Sequence, residues 1–292
     1  MRITALLMGR NLSLFFRDRM GVFLSLLSAI ILFALYALFL GNLQVENVQE
    51  KFPNASAGDV QGFVNSWVFA GIVMITTLTT SLSALNIFVE DRASGRFKDF
   101  MVSPVRRGHL VGGYLLSSFV IAVMMSTVIL VVGQVYMLAT GQPITSWTGL
   151  AQTFAYICLL SAAFSALSSF IVTFIRSSSA FSSLGTIVGT IIGFLAGAYI
   201  PLGTLPDGVT NVINALPFSQ AAMLVRGPLT EATIDQLAGG QDQAITALDE
   251  FYGVDIFVSD LAVTVPMAIG VMVAVLALFA ALGMVRIRTH IR

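Results

Sequence analysis

Charge is scarce in this chain of 292 residues: Asp, Glu, Lys and Arg make up 10% of it, against about a quarter in a soluble domain. Water is therefore not its main solvent. Cysteine is almost missing too. Cys158 is the only one, which excludes an intrachain disulfide and a metal site built from paired thiolates. There is no Gly-rich Lys-Ser/Thr phosphate loop and no HExxH pair, and the two histidines, His109 and His290, stand at the edges of apolar runs. No paired carboxylates or nucleophile and base mark a catalytic centre, so the chain is expected not to be an enzyme and to hold no cofactor or metal. Basic and acidic residues cancel at 15 each, so nothing points to nucleic acid as a partner.

Apolar residues are plentiful, at 57%. A bilayer core of about 30 Å needs about 20 apolar helical residues, and six stretches qualify, at about 20–41, 63–89, 110–140, 149–175, 181–202 and 261–285. The first is too long for a signal-peptide core and lacks a clear cleavage site, so it is expected to stay as an anchor. The reading is an all-α membrane protein, a single transmembrane domain over 1–292. As drawn, the spans hold no Asp, Glu, His, Lys or Arg, which disfavours a proton relay or a carboxylate-lined ion path. A gradient-driven secondary transporter or channel is therefore the weaker reading.

Orientation follows from Lys and Arg, which are retained on the cytoplasmic side. Arg2, Arg10, Arg17 and Arg19 precede the first span; Arg92, Arg96, Lys98, Arg106 and Arg107 follow the second; Arg176 follows the fourth; Arg286, Arg288 and Arg292 close the chain. The other side keeps only Lys51 and Arg226 among many carboxylates. Both termini are expected to be cytoplasmic. Residues 1–18 carry Met1, Ala5, Met8, Leu12 and Phe15 on one stripe and Arg2, Arg10 and Arg17 on another side, which suits either a helix in the headgroup layer or a cytosolic extension of the first span. The connection at 204–260 is long, with helical periodicity in Val209, Val212, Ile213 and Leu216, and is expected to fold as a helical outer cap.

The loop at 90–108 is charged and amphipathic. Glu90, Asp91 and Arg92 end the second span; Ser94, Gly95 and Arg96 follow; Phe97, Phe100 and Met101 fall at i, i+3 and i+4; Pro104 breaks the turn before Arg106 and Arg107. Such an apolar patch can dock in a groove on another protein. This order resembles the coupling helix of type-2 ATP-binding cassette (ABC) exporter permeases. Phe16-Arg17-Asp18-Arg19 is similar to the Arg-Asp lead-in to that family's first span, and Phe194 to Pro201, with Leu205-Pro206 and Asn214 to Phe218, looks like its fifth-span ending and outer re-entrant element. Two places depart from the pattern: Arg96-Phe97-Lys98 stands where many members have a Thr-Leu-Glu-like stretch, and Ala215-Leu216-Pro217 is a loose version of the usual Asn-Pro.

The resemblance implies the permease subunit of an ATP-driven exporter in a bacterial cytoplasmic membrane. It implies a separate ABC ATPase subunit carrying ATP and Mg, a second permease copy or paralogue, and surrounding lipid. Arg10, Phe15, Arg17 and Asp18 are then expected on the interfacial helix beside the coupling loop. A drug-like amphiphile, as in multidrug efflux, is the preferred cargo, with a lipid-linked glycan or a peptide as alternatives. Phe69, Val73, Thr76, Thr80, Ser83 and Asn86 on the second span form a weakly polar face that would suit such a path, although hydroxyls also bond their own helix. Gly185, Gly189, Gly193 and Gly197 recur every four residues on the fifth span. Packing within one bundle explains them as well as contact with a second copy at a dimer axis does.

Overall fold

A computed structural model describes residues 2–51, 55–96, 107–239 and 241–290. Six of its helical rods are long and apolar enough to cross a membrane: Ala29–Glu50, Ala57–Ala93, Gly108–Ala139, Trp147–Val172, Ser178–Leu195 and Val265–Arg286. The chain is an all-α, multi-pass membrane protein.

Helix α1 (Arg2–Arg17) is followed by α2 (Arg19–Ser25), α3 (Leu27–Leu35), a π-turn at Tyr36–Leu40 and α4 (Gly41–Lys51), which together make the first rod. Asp18 separates α1 from α2 because its side chain accepts the Gly21 N–H at 2.9 Å, an N-cap that starts a new helix. The second rod is α5 (Ala57–Ala84) and α6 (Asn86–Ala93), joined by a tight turn at Leu85. Helices α7 (Arg107–Ala139), α8 (Trp147–Val172) and α9 (Ser178–Leu195) follow. Ser56, Ser146 and Ser177 cap α5, α8 and α9 by accepting the N–H of Asp59, Gly149 and Ala180.

The fifth rod stops at Leu195, short of the expected 202, because Gly197 adopts φ +61 and turns the chain. Ala196 closes the helix, and Ala198 N–H bonds the Gly193 carbonyl at 2.8 Å, a left-handed glycine ending. A 3-10 turn at Leu202–Thr204 leads to α10 (Asp207–Ala215), α11 (Pro217–Ala238) and α12 (Asp242–Tyr252). The sixth rod, α13 (Val265–His290), begins later than the expected 261, because Leu261–Ala262 pairs with Phe257–Val258 in a small antiparallel hairpin.

The second rod is the centre of the bundle: 89% of its most apolar window is covered by the rest of the chain, against 17% for the fifth and sixth. Lipid supplies little drive for helices to associate, so close contact through small residues must do it. Gly71 on α5 shows this, since a Cβ there would stand 2.8 Å from Ala198 Cβ. Helix α11 enters the same core, its Phe218 ring stacked at 6.0 Å on Phe164 of α8 and its Thr233 Oγ 2.8 Å from Ser66 of α5.

Candidate functional site

Among the described residues, two buried charges mark opposite ends of this bundle. The basic end carries Arg10, Arg92, Arg96, Arg176 and Arg286; the other carries most of the carboxylates and helices α10 to α12.

At the basic end Asp91, 1% exposed, ends the second rod. Arg10 on α1 donates to both of its oxygens, at 2.7 and 2.9 Å. Tyr114 of α7 donates its hydroxyl at 2.6 Å, and Arg96 adds a bond at 3.2 Å. A bidentate guanidinium–carboxylate pair is among the stronger hydrogen-bonded contacts, and Asp91 accordingly raises the Arg10 pKa above its ordinary value. Arg92, the next residue, donates to the carbonyls of Thr173 and Ile175 at 2.9 and 3.2 Å, just past the end of α8. A cation suits that position, because the last carbonyls of a helix are unpaired and carry partial negative charge. Two adjacent side chains thus fasten α1, α7 and the end of α8 to the second rod. Glu90 faces out and accepts from Asn86 at 2.7 Å. Ser94 closes α6, and Gly95 turns away at φ +81. Phe97, Phe100 and Met101 lie outside the described residues.

Helix α1 is docked beside this node. Thr4 is 3.1 Å from His109 Nδ1, Asn11 donates to Ser117 at 3.3 Å, and Phe15, 7% exposed, sits in a cluster with Ala84, Ile121 and Met125. Leu7 approaches Gly113 so closely that a Cβ there would lie 2.7 Å from it. The packed face therefore holds Thr4, Leu7, Asn11 and Phe15, while Ala5 and Arg17 are exposed together with Ile3, Leu6, Leu14 and Phe16. The expected stripe is only partly the buried one, because hydrogen bonds from Thr4 and Asn11 help choose the face.

The second charge is Arg226 on α11, which is 0% exposed. Its two terminal nitrogens donate to the carbonyls of Ala196 and Gly197, at 2.8 and 2.7 Å, and of Gly253, at 3.1 Å. The guanidinium carbon lies 5.4 Å from the centre of the Trp67 ring. No carboxylate is in ion-pair distance of it among the described residues, and its Nε has no partner. Burial lowers its pKa to about 10, so it stays charged at neutral pH. Around it Trp67 Nε1–H donates to the Tyr252 carbonyl at 2.8 Å, the Tyr252 hydroxyl to Gln44 at 3.3 Å, and the Tyr36 hydroxyl to the Tyr199 carbonyl at 3.1 Å. The expectation of Arg226 as an outer-loop charge missed this. The one available signal was a single arginine after Ala221-Ala222-Met223-Leu224-Val225, where an exposed helix would carry more polar residues.

The face expected to line a path is closed. Phe69 and Val73 border a void of about 10 Å³ shared with Leu130, Gly133 and Leu229, which is the size of one water. Thr76 and Thr80 are fully buried, and their hydroxyls bond the carbonyls of Ile72 and Thr76 on their own helix. Ser83 and Asn86 are half-buried. Ser81 likewise donates to its own helix, at the Thr77 carbonyl at 2.6 Å, but it also accepts across helices, with Ser118 of α7 donating to its carbonyl at 2.7 Å and Ser165 of α8 to its Oγ at 3.2 Å.

The glycines of the fifth span do not act alike. Gly197 lies past the helix end and belongs to its turn. Gly193 is covered from within the chain, since a Cβ there would run into the Tyr199 ring. The Tyr199 hydroxyl donates to the Gly189 carbonyl at 3.3 Å, and Gly185 has open space around it. Sequence reasoning also missed the exposed hydroxyls on α9: Ser182, Thr186 and Thr190 recur every four residues beside Ile187 and Ile191.

Comparison with curated proteins finds no match. Residues 3–229 match the family model described as ABC-2 type transporter, a family of transport permeases rather than of catalysts. The chain belongs to the ABC-2 type transporter family and is a membrane component of an ABC transporter.

Proposed function

We propose that this chain is the permease subunit of an ATP-driven exporter that moves a lipophilic or amphiphilic, drug-like compound outward across a bacterial cytoplasmic membrane. In this reading the basic end is cytoplasmic, two copies or two paralogues face one another, and a separate ATPase subunit binds ATP and Mg. The observation that supports it most is the Asp91–Arg92 node. A push on the segment between Gly95 and Arg107 is felt at once by α1, α7 and the end of α8, because the two side chains beside that segment hold all three. Nucleotide shifts the bundle only if it favours one of two packings. A node joined by side-chain bonds, with Arg10 and Arg96 reaching water, can break and re-form between packings more cheaply than a close-packed core.

The path would run where two bundles meet. The exposed face of α9 with Ser182, Thr186 and Thr190 offers a weakly polar wall suited to an amphiphile, and parting of α5 from its neighbours would add Phe69, Val73, Thr76, Thr80, Ser83 and Asn86. Residues Ile3, Leu6, Leu14 and Phe16, exposed on α1, suit an apolar headgroup boundary.

The test is purification from native membranes through a tag on this chain, followed by reconstitution. A co-purifying ATPase whose vanadate-sensitive hydrolysis rises with added amphiphiles supports the reading. Accumulation of a solute by the permease alone, driven by an ion gradient, overturns it.

A further inference from the structure

An exporter needs its outer end shut while cargo enters from inside, and the closure has to yield on each cycle. Arg226 sits where that closure would be. Burying a cation costs several kcal/mol unless its surroundings compensate, and here no carboxylate does. The compensation comes from backbone. Ala196 and Gly197 lie at the end of α9, and Gly253 lies at the end of α12, in a left-handed turn at φ +67. Two helix C-termini, each with partial negative charge, converge on one guanidinium.

That arrangement differs from a structural ion pair in what happens on movement. A carboxylate partner on α11 would travel with Arg226, and an apolar side chain would often be as stable. Here the acceptors belong to other elements. If the end of α9 moves away, two of the three bonds are lost and the cation must find water. The shut state is dry and the open state is wet, with little favourable in between. Trp67, 1% exposed and stacked on the guanidinium, would be wetted at the same moment.

We infer that Arg226 is the latch of the outer gate, a positioning residue that holds the ends of α9 and α12 together against Trp67 and must release them for outward opening. This rests on the exporter reading. One arm of the test uses Trp67 as the reporter. The chain has two tryptophans, and Trp147 is 87% exposed, so Trp147→Phe leaves Trp67 as this chain's one tryptophan, and its emission is read as the difference from the same complex carrying Trp67→Phe as well. In the complex with its co-purified ATPase in nanodiscs, Trp67 emission should be blue-shifted and poorly quenched by acrylamide at rest. Trapping with ATP and vanadate should red-shift it and raise quenching at least twofold. Unchanged emission in a complex that transports overturns the latch and leaves the exporter reading standing.

The other arm needs no ATPase. In a Cys158→Ser permease, spin labels at Ile191→Cys on α9 and Glu231→Cys on α11 should give one narrow distance, kept by Arg226→Lys, while Arg226→Met adds a broad or longer population. A Met variant with the unchanged narrow distance overturns the latch. If no ATPase co-purifies, the exporter reading falls while the labels still decide the latch. If the Met variant does not fold, the tryptophan arm decides with the native arginine in place.

Discussion

Asp91 and Arg226, the two fully buried charges among the described residues, are compensated in opposite ways. Asp91 is sheltered, but two of its three partners are long side chains that reach water: the side chains of Arg10 and Arg96 are 29% and 57% exposed. Arg226 is just as deep, and all three of its acceptors are backbone carbonyls fixed by helix ends. When Asp91 loses a partner, the freed guanidinium is hydrated; when Arg226 loses one, a buried group is left bare. Burial alone therefore does not set what a charge contributes. What counts is whether its partners have water to fall back on.

Removing Arg226 should accordingly be the most damaging change. Arg226→Met leaves three carbonyls without donors, each worth about 1–3 kcal/mol, and recovers only part of that by removing a costly cation. A net loss of about 2 kcal/mol or more is expected, read as a fall in the thermal midpoint in detergent. Arg226→Lys should lose less, since it keeps the charge but as a point donor that cannot span all three acceptors. Asp91→Ala should cost less than Arg226→Met, about 1–2 kcal/mol, mainly because the Tyr114 hydroxyl is stranded. Its functional effect should be larger than its structural one, with ATP hydrolysis retained and transport lost as α1 comes free. A double-mutant cycle with Arg10→Ala should return a coupling of about 0.5–1 kcal/mol, since the Arg10 side chain is partly solvated. Equal losses for Asp91→Ala and Arg226→Met would erase the contrast between the two ends.

The contrast was half legible in the sequence. The six spans can be read from it because hydropathy is a local sum, whereas the bonds that bring Arg10 and Tyr114 onto Asp91 join residues far apart in the chain and leave no local signal. The place of α1 was expected from the family resemblance, not from its amphipathic stripe, and its contacts are its own: Arg10 bonds Asp91, while Phe15 packs with Ala84, Ile121 and Met125. Arg226 was misread, because a charge rule assigns each residue to a side of the membrane and says nothing of a connecting segment that folds back into the core. Its acceptors give no sequence signal at all: carbonyls of Ala196, Gly197 and Gly253 are exposed by turn geometry, not by side-chain type. The four-residue glycine repeat was real as a spacing, but Gly197 serves the turn and Gly193 serves Tyr199, a contact made by the chain doubling back after the helix.

That doubling back sharpens the comparison along a single helix. Helix α9 begins at the basic end with Gly185 in open space and ends at the acidic end with Gly193 under Tyr199. Gly193→Leu should unseat Tyr199 and destabilise the isolated permease by about 1–3 kcal/mol, as overpacking does. Gly185→Leu should leave the permease's own melting within about 0.5 kcal/mol of the native value and instead lower the fraction of dimer seen by cross-linking in nanodiscs. A loss of monomer stability in Gly185→Leu, with dimer unaffected, would place that face against the chain's own helices, and no change in either would place it in lipid.

The smallest effect should come from a third charge, Asp249 of α12, near the Arg226 end but without its kind of compensation. Burial, with Asp255 and Asp235 adding repulsion, pushes its carboxyl from the ordinary 3.8 up to about 7, and its Oδ1 is buried without a hydrogen-bond partner. Between about pH 4 and 7 the folded state therefore holds a proton that the unfolded chain has released, so stability falls as pH rises through that window and levels off above it. The sign is opposite to that of a paired carboxylate, whose contribution is lost as pH falls. Asp249→Asn should match the native protein near pH 4 and exceed it modestly at pH 8, since the group is only half-buried and water screens the penalty. Hydrogen exchange of α12 at both pH values reads the difference directly. Equal exchange in the two proteins at pH 8 would mean that Asp249 finds a partner or enough water there, leaving Arg226 as the charge at that end whose compensation decides stability.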